Sequence, residues 1–158
     1  MKKSAKLTCL AAIGLMATAC ASAPLTLNDN IIVAGDRVGD VEIGMPLAQL
    51  VNLKGVPRKT IPIAGTAATT YFYDGLTVAA DDHVYWIIAK DPRFRTQRGV
   101  AVGSEQIFAR ASFGQPDCVV TRQGSTVYDY GNLYFDVDNA TGLVTELGIQ
   151  DKTQNCRG

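Results

Sequence analysis

Apolar and polar residues alternate with a period of two at several places along this chain. Leu76, Val78 and Ala80 share one side of an extended segment, and Leu133, Phe135 and Val137 repeat the pattern later. Trp86 and Ile88 alternate in the same way against Ile87 and Ala89. Such alternation predicts strands with two chemically different faces. Between these segments stand two stretches with helical punctuation, IGMPLAQLVNLKGVP from Ile43 to Pro57 and VGSEQIFARASFGQP from Val102 to Pro116. Pro46 suits a first helical turn, where a missing N–H costs nothing. Ser104 is placed to cap the second helix, with Glu105 set favourably against its dipole. Gly55 and Gly114 supply left-handed C′ positions, and Pro57 and Pro116 prevent continuation. Two helices of roughly ten residues are predicted, too short to be stable without tertiary packing.

These elements recur with a period of about 60 residues, which marks an internal repeat. Both helical stretches fit G-x10-G-x-P, and the strand signals after them match in order. Tyr71 to Val78 aligns with Tyr128 to Phe135, and the turn Asp81-Asp82-His83 aligns with Asp138-Asn139-Ala140. Ile61–Ile63 and Val119–Val120 are the expected leading strands. The predicted class is therefore α+β, with two tandem units. Each is a short helix, or helix pair, packed on a three- to four-stranded antiparallel sheet.

The first residues belong to a different register. Lys2, Lys3 and Lys6 precede an apolar run from Leu7 to Ala17, which is too short for a transmembrane helix of about 20 residues. Charge, length and small-residue ending read as a signal peptide. Ala17-Thr18-Ala19-Cys20 resembles a bacterial lipoprotein processing site, which implies lipidation of Cys20. Ordinary cleavage after Ala19, giving a soluble periplasmic protein, is the alternative. Ala21 in place of Asp points to the outer membrane and its periplasmic face, as in Gram-negative lipoproteins. The expected organisation is signal peptide 1–19, lipidated Cys and tether 20–37, first unit 38–91, linker 92–99, second unit 100–151 and disulfide-linked tail 152–158.

Composition changes once that leader is set aside. The full chain has 158 residues, Lys+Arg 15 and Asp+Glu 15. Loss of residues 1–19 removes three Lys and leaves 139 residues with 12 basic and 15 acidic side chains, a net of −3. That balance lacks the basic surplus of a nucleic-acid binder. Of 4 Cys, Cys9 leaves with the leader and Cys20 is committed to lipid, so Cys118 and Cys156 remain. In an oxidising compartment one disulfide between them is the simplest assignment, worth about 4 kcal/mol by loop closure.

The motif IGM…G-x-P followed by YFYDGLTVAADDHVYWI resembles the repeat of the SmpA/OmlA group of small outer-membrane lipoproteins, which includes a barrel-assembly accessory subunit. Two such repeats in tandem resemble the β-lactamase-inhibitor-protein-like architecture. The resemblance covers about Val38 to Asp151. It implies helices on one sheet face, an opposite face open to a protein partner, and no catalysis.

On strand alternation, Tyr71, Tyr73, Tyr128 and Tyr130 are assigned to the helix-covered face. Phe72, Trp86, Ile88 and Tyr134 fall on the other. Large apolar groups on a wet face mark a contact surface, and these four are the candidate partner-binding residues. The alternative is packing between units, or a register slip that turns them inward. Asp81, Asp82 and His83 sit at a hairpin turn, where Asp is common for backbone reasons. Asp129, Asp136 and Asp138 form an acidic patch, and Arg93, Arg95 and Arg98 a basic linker. No nucleophile elbow, triad order or phosphate-binding loop is present, so no catalytic residue, metal or cofactor is expected. The sequence thus predicts a non-catalytic envelope lipoprotein that binds an envelope protein and touches the membrane through its lipid. The alternative function is a periplasmic inhibitor or immunity protein.

Overall fold

A computed structural model describes residues 29–151. The chain starts with three short strands, β1 (Ile31–Val33), β2 (Arg37–Val38) and β3 (Val41–Glu42). Helix α1 (Leu47–Lys54) follows, then a meander of β4 (Lys59–Pro62), β5 (Thr69–Phe72), β6 (Leu76–Ala80) and β7 (Val84–Ala89). After β8 (Arg95–Thr96), the pattern of helix and meander returns as α2 (Gln106–Phe113), β9 (Cys118–Arg122), β10 (Ser125–Asp129), β11 (Leu133–Asp138) and β12 (Val144–Gln150).

The expected class, α+β with tandem helix-on-sheet units, is overturned. The fold is β-rich, with two sheets and only two helices of 8 residues each among the described residues. The larger sheet is continuous through eight antiparallel strands in the order β4-β5-β6-β7-β12-β11-β10-β9. Its two meanders meet where β12 pairs with β7, through Leu147↔Ala89, Gly148↔Ile88, Ile149↔Ile87 and Gln150↔Trp86. Separate sheets would have left β7 and β12 as edges with rows of unpaired N–H and C=O groups; joining them removes both edges. The smaller sheet, β3-β2-β1-β8, draws β1 and β8 from segments read from sequence as tether and linker, and β3 from the first unit. Its outer pairing is parallel, Ile31↔Arg95 and Ile32↔Thr96. The run Ile31-Ile32-Val33 is β-branched throughout and was a signal for this strand.

Helix ends follow the glycines more closely than the caps. Gly55 and Gly114 take φ of 74° and 82°, and their N–H groups donate to Val51 O and Arg110 O. Left-handed φ there is cheap only for glycine. Ser104 does not cap α2: Glu105 is the N-cap residue and makes no side-chain cap bond. The Ser104 hydroxyl instead accepts from Ala101 N at 3.0 Å, tightening the turn before the helix.

The helices and the small sheet share one side of the large sheet. Leu50 from α1, Ala109 from α2, and Ile32, Val38, Val41 and Phe94 bury against Leu76, Val78, Ile87, Phe135, Leu147 and Ile149. The repeated tyrosines lie on this side as expected. Tyr73 and Tyr128 are buried in the cluster, and Tyr71 and Tyr130 pack against it. Phe135 sits between rings, 5.3 Å from Tyr128 and 5.7 Å from Tyr130 in stacked geometry.

Candidate functional surface

Strand alternation leaves a second face on the large sheet, turned away from the helices. Register places Phe72, Thr77, Ile88, Gly148, Tyr134, Asp129 and Cys118 in one row across seven strands. A neighbouring row holds Thr70, Ala79, Trp86 and Gln150. Phe72, Trp86, Ile88 and Tyr134, named from the sequence pattern, are thus brought together on this face. Their exposure differs. Phe72 and Trp86 are half-buried, whereas Ile88 is 7% and Tyr134 8% exposed. The latter two form a floor and the former two stand at the surface.

Tyr134 owes its seat to a glycine. Gly148 lies directly opposite it on β12, and a Cβ there would overlap the Tyr134 ring. The ring lies flat over the bare backbone, with Trp86 6.3 Å away between centroids. The Tyr134 hydroxyl donates to Glu146 Oε1 at 3.3 Å, and Glu146 Oε2 pairs with Lys90 Nζ at 3.0 Å. Burial, and then the Glu146 charge, push the Tyr134 phenol far above its ordinary range. The Trp86 indole N–H lies near enough to the phenol to oppose that rise, yet is buried without hydrogen-bond geometry to any acceptor.

Polar groups on this face are mostly tied to backbone. Asp129 is buried and accepts from Gly131 N at 2.7 Å, while Gln150 Nε2 donates to Gly131 O at 2.9 Å. Burial raises the Asp129 carboxyl above its usual range, with the Gly131 N–H opposing and the Asp117 charge reinforcing. Asp136 accepts from Ser125 Oγ at 3.3 Å through Oδ2, but its buried Oδ1 has no partner. Asp138 serves a turn, accepting from Ala140 N and Thr141 N.

The remaining sequence candidates lie elsewhere. Asp81 accepts from His83 N at 3.0 Å in an exposed turn, and this bond lowers its pKa. Among the described residues, no three His, Cys, Asp or Glu side chains gather where they could hold a metal. Arg93 pairs with Asp74 at 3.2 Å, Arg95 lies in β8, and Arg98 donates to Ser112 O. Cys118 opens β9 and is not a free thiol. Cys20 and Cys156 lie outside the described residues. Sequence reasoning missed two exposed apolar residues on α2, Ile107 (76% exposed), which lines a cleft with Leu143, and Phe108; adjacent apolar residues in a short amphipathic helix were their signal.

No family model and no curated protein matches this chain. Among solved structures it is similar to the uncharacterized protein YfeY from Escherichia coli, at 12% identity and TM-score 0.55, covering 75% of this chain and 98% of that one. It is also similar to an extracellular SCP-domain protein from Bacillus anthracis, at 11% identity and TM-score 0.50. That match covers 69% of this chain and 44% of the other. At these identities the likeness is one of fold alone. Neither is a SmpA/OmlA or β-lactamase-inhibitor protein.

Proposed function

We propose that the protein is a non-catalytic lipoprotein of the outer membrane that binds an envelope protein through the second face of its large sheet. The observation that carries this reading is the grouping of Phe72 and Trp86 above a floor of Ile88 and Tyr134, on a face that neither helix covers. Half-buried aromatic residues on a rigid apolar floor are the kind of anchor that concentrates binding energy. Lipidation at Cys20, and an outer-membrane address, rest on the processing-site resemblance; the accessory role rests on the SmpA/OmlA resemblance.

A photo-crosslinking residue at position 86, introduced in cells, tests the reading. An outer-membrane assembly or structural component is the expected product. Phe72→Ala with Trp86→Ala should lose the same component from affinity capture with the lipidated protein while the melting temperature changes little. Crosslinking to a soluble periplasmic hydrolase would overturn the accessory role in favour of an inhibitor. Loss of stability instead of capture would show that the two residues are core.

A further inference from the structure

Helix α2 turns a large apolar side chain to solvent where α1 turns an alanine. The repeat makes the two helices equivalent, with Gly44 matching Gly103 and Gly55 matching Gly114. Leu50 and Ala109 then share one slot, and each is fully buried against the sheet. Residues two places before and after that slot are rotated about 200° from it, and so point outward. In α1 they are Ala48 and Asn52, with Gln49 beside them, all exposed. The exposed large apolar residue of α1, Val51, stands on the flank at the place of Arg110. In α2 the outward residues are Ile107 and Ala111, with Phe108 beside them, and Phe108 is 47% exposed. Docking on the sheet does not require this, because α1 docks with small or polar residues outside. The apolar outer face of α2 marks a contact beyond the chain's own core.

The surface beside Ile107 is hollow. An open cleft of about 760 Å³ separates α2 from the β11–β12 turn, lined by Glu105, Ile107, Arg110, Ala111, Gly114 and Leu143. Gln106 N donates to Gly142 O at 2.9 Å and ties the turn to the start of the helix. One patch thus presents a protruding apolar side chain and, next to it, a recess bordered by the small residues Ala111 and Gly114. A two-fold axis between antiparallel copies of α2 puts each Ile107 into the other copy's recess, the reciprocal condition of an isologous contact. Charge agrees with this direction. Glu105 stands at the start of α2 and Arg110 towards its end, both on the cleft. Antiparallel approach sets Glu105 of each copy towards Arg110 of the other, and it also opposes the two helix dipoles.

We propose that α2 and the cleft beside it form a two-fold contact with a second copy of this chain, in which Ile107 of each copy packs against Ala111 and Leu143 of the other. Helix α2 has 8 residues and is about 12 Å long. The contact therefore falls short of the roughly 800 Å² per partner of a standard interface, and the dimer is a reversible one. It lies on the helix side of the large sheet, away from Phe72 and Trp86, and stands whether or not the partner reading holds.

The test uses the mature chain in density-matched detergent. Sedimentation equilibrium should show monomer and dimer exchanging between about 10 μM and 1 mM. Ile107→Asp should weaken association at least about tenfold, since each dimer loses two buried isoleucines. Ala48→Asp, at the equivalent place on α1, should leave association unchanged. Glu105→Arg and Arg110→Glu should each weaken the homodimer, and the two variants mixed should form heterodimers. In a mixture of isotope-labelled and unlabelled chains, filtered nuclear Overhauser contacts should join the Ile107 methyls to Leu143 of the other copy. A monomer throughout the range overturns the proposal, and so does a dimer that Ile107→Asp leaves intact. If Ile107→Asp fails to fold, the contacts between unsubstituted chains decide. Contacts from Ile107 to detergent acyl chains, with none to a second copy, overturn it in favour of a lipid surface. Loss of the crosslink at position 86 would bear on partner binding alone.

Discussion

Replacing Gly148 by Ala probes the seat of Tyr134 with a reversible sign. The added Cβ would fall inside the volume of the Tyr134 ring, which is buried and flanked by Trp86 and Glu146. Inserting a methyl into a packed site typically costs about 1–3 kcal/mol. Against this, glycine in a strand interior is itself about 0.5–1 kcal/mol worse than Ala. The net expectation for Gly148→Ala is a loss of about 1–2 kcal/mol, a melting shift of about 4–8 °C for a domain of this size. With Tyr134→Ala as background the obstruction is gone. Only the intrinsic term remains, and Gly148→Ala should then be stabilising by about 0.5–1 kcal/mol. Urea unfolding followed by circular dichroism, with all four chains in one cycle, reads the coupling directly. An equal cost of Gly148→Ala in both backgrounds would refute the seat, and with it the account of why Tyr134 lies flat on this face.

Further outcomes follow from the core and the charged groups. Leu50 is the one fully buried side chain of α1, so Leu50→Ala should cost about 2–4 kcal/mol, measured by the same unfolding curves. Asp29 is held down at about 2, from an ordinary 3.8, chiefly by its side-chain hydrogen bond from Arg37 at 2.8 Å. Its folded pKa is depressed, so its stabilisation is present above the ordinary value and is lost as pH falls towards about 2. Carboxyl NMR titration should show the Asp29 value rising towards normal in Arg37→Ala. Asp129 has the opposite sign. Burial raises its folded pKa, so stability is greatest below the ordinary carboxylate value and declines as pH rises through the folded one. In Asp129→Asn that decline should vanish from a stability–pH profile; an unchanged profile would contradict the burial.

Much of the local architecture was legible because its causes are local. Gly55 and Gly114 stop the helices through their own backbone conformation, and the following prolines act on adjacent residues. The alternation of Leu76, Val78 and Ala80, and of Leu133, Phe135 and Val137, reports which side of a strand meets the core. Phe72, Trp86, Ile88 and Tyr134 could be placed on one face for the same reason, since a pleat turns alternate residues apart. How deeply each is buried was not legible. The floor under Tyr134 is Gly148, whose importance depends on a partner strand and not on its own neighbours.

The fold class went wrong where pairing is non-local. Nothing in β7 or β12 taken singly says that Ile87 will face Ile149, because backbone hydrogen bonds read no side-chain identity and both strands looked complete within their own meanders. Likewise Ile31–Val33 resembled the end of a tether until Arg95–Thr96 gave it a parallel neighbour. Sequence therefore determined the two helices and the meander strands, their stops and their two faces, through interactions spanning a few residues. Tertiary structure alone decided that one sheet of eight strands replaces two, because only the assembled chain brings the unpaired edges within hydrogen-bonding distance of each other.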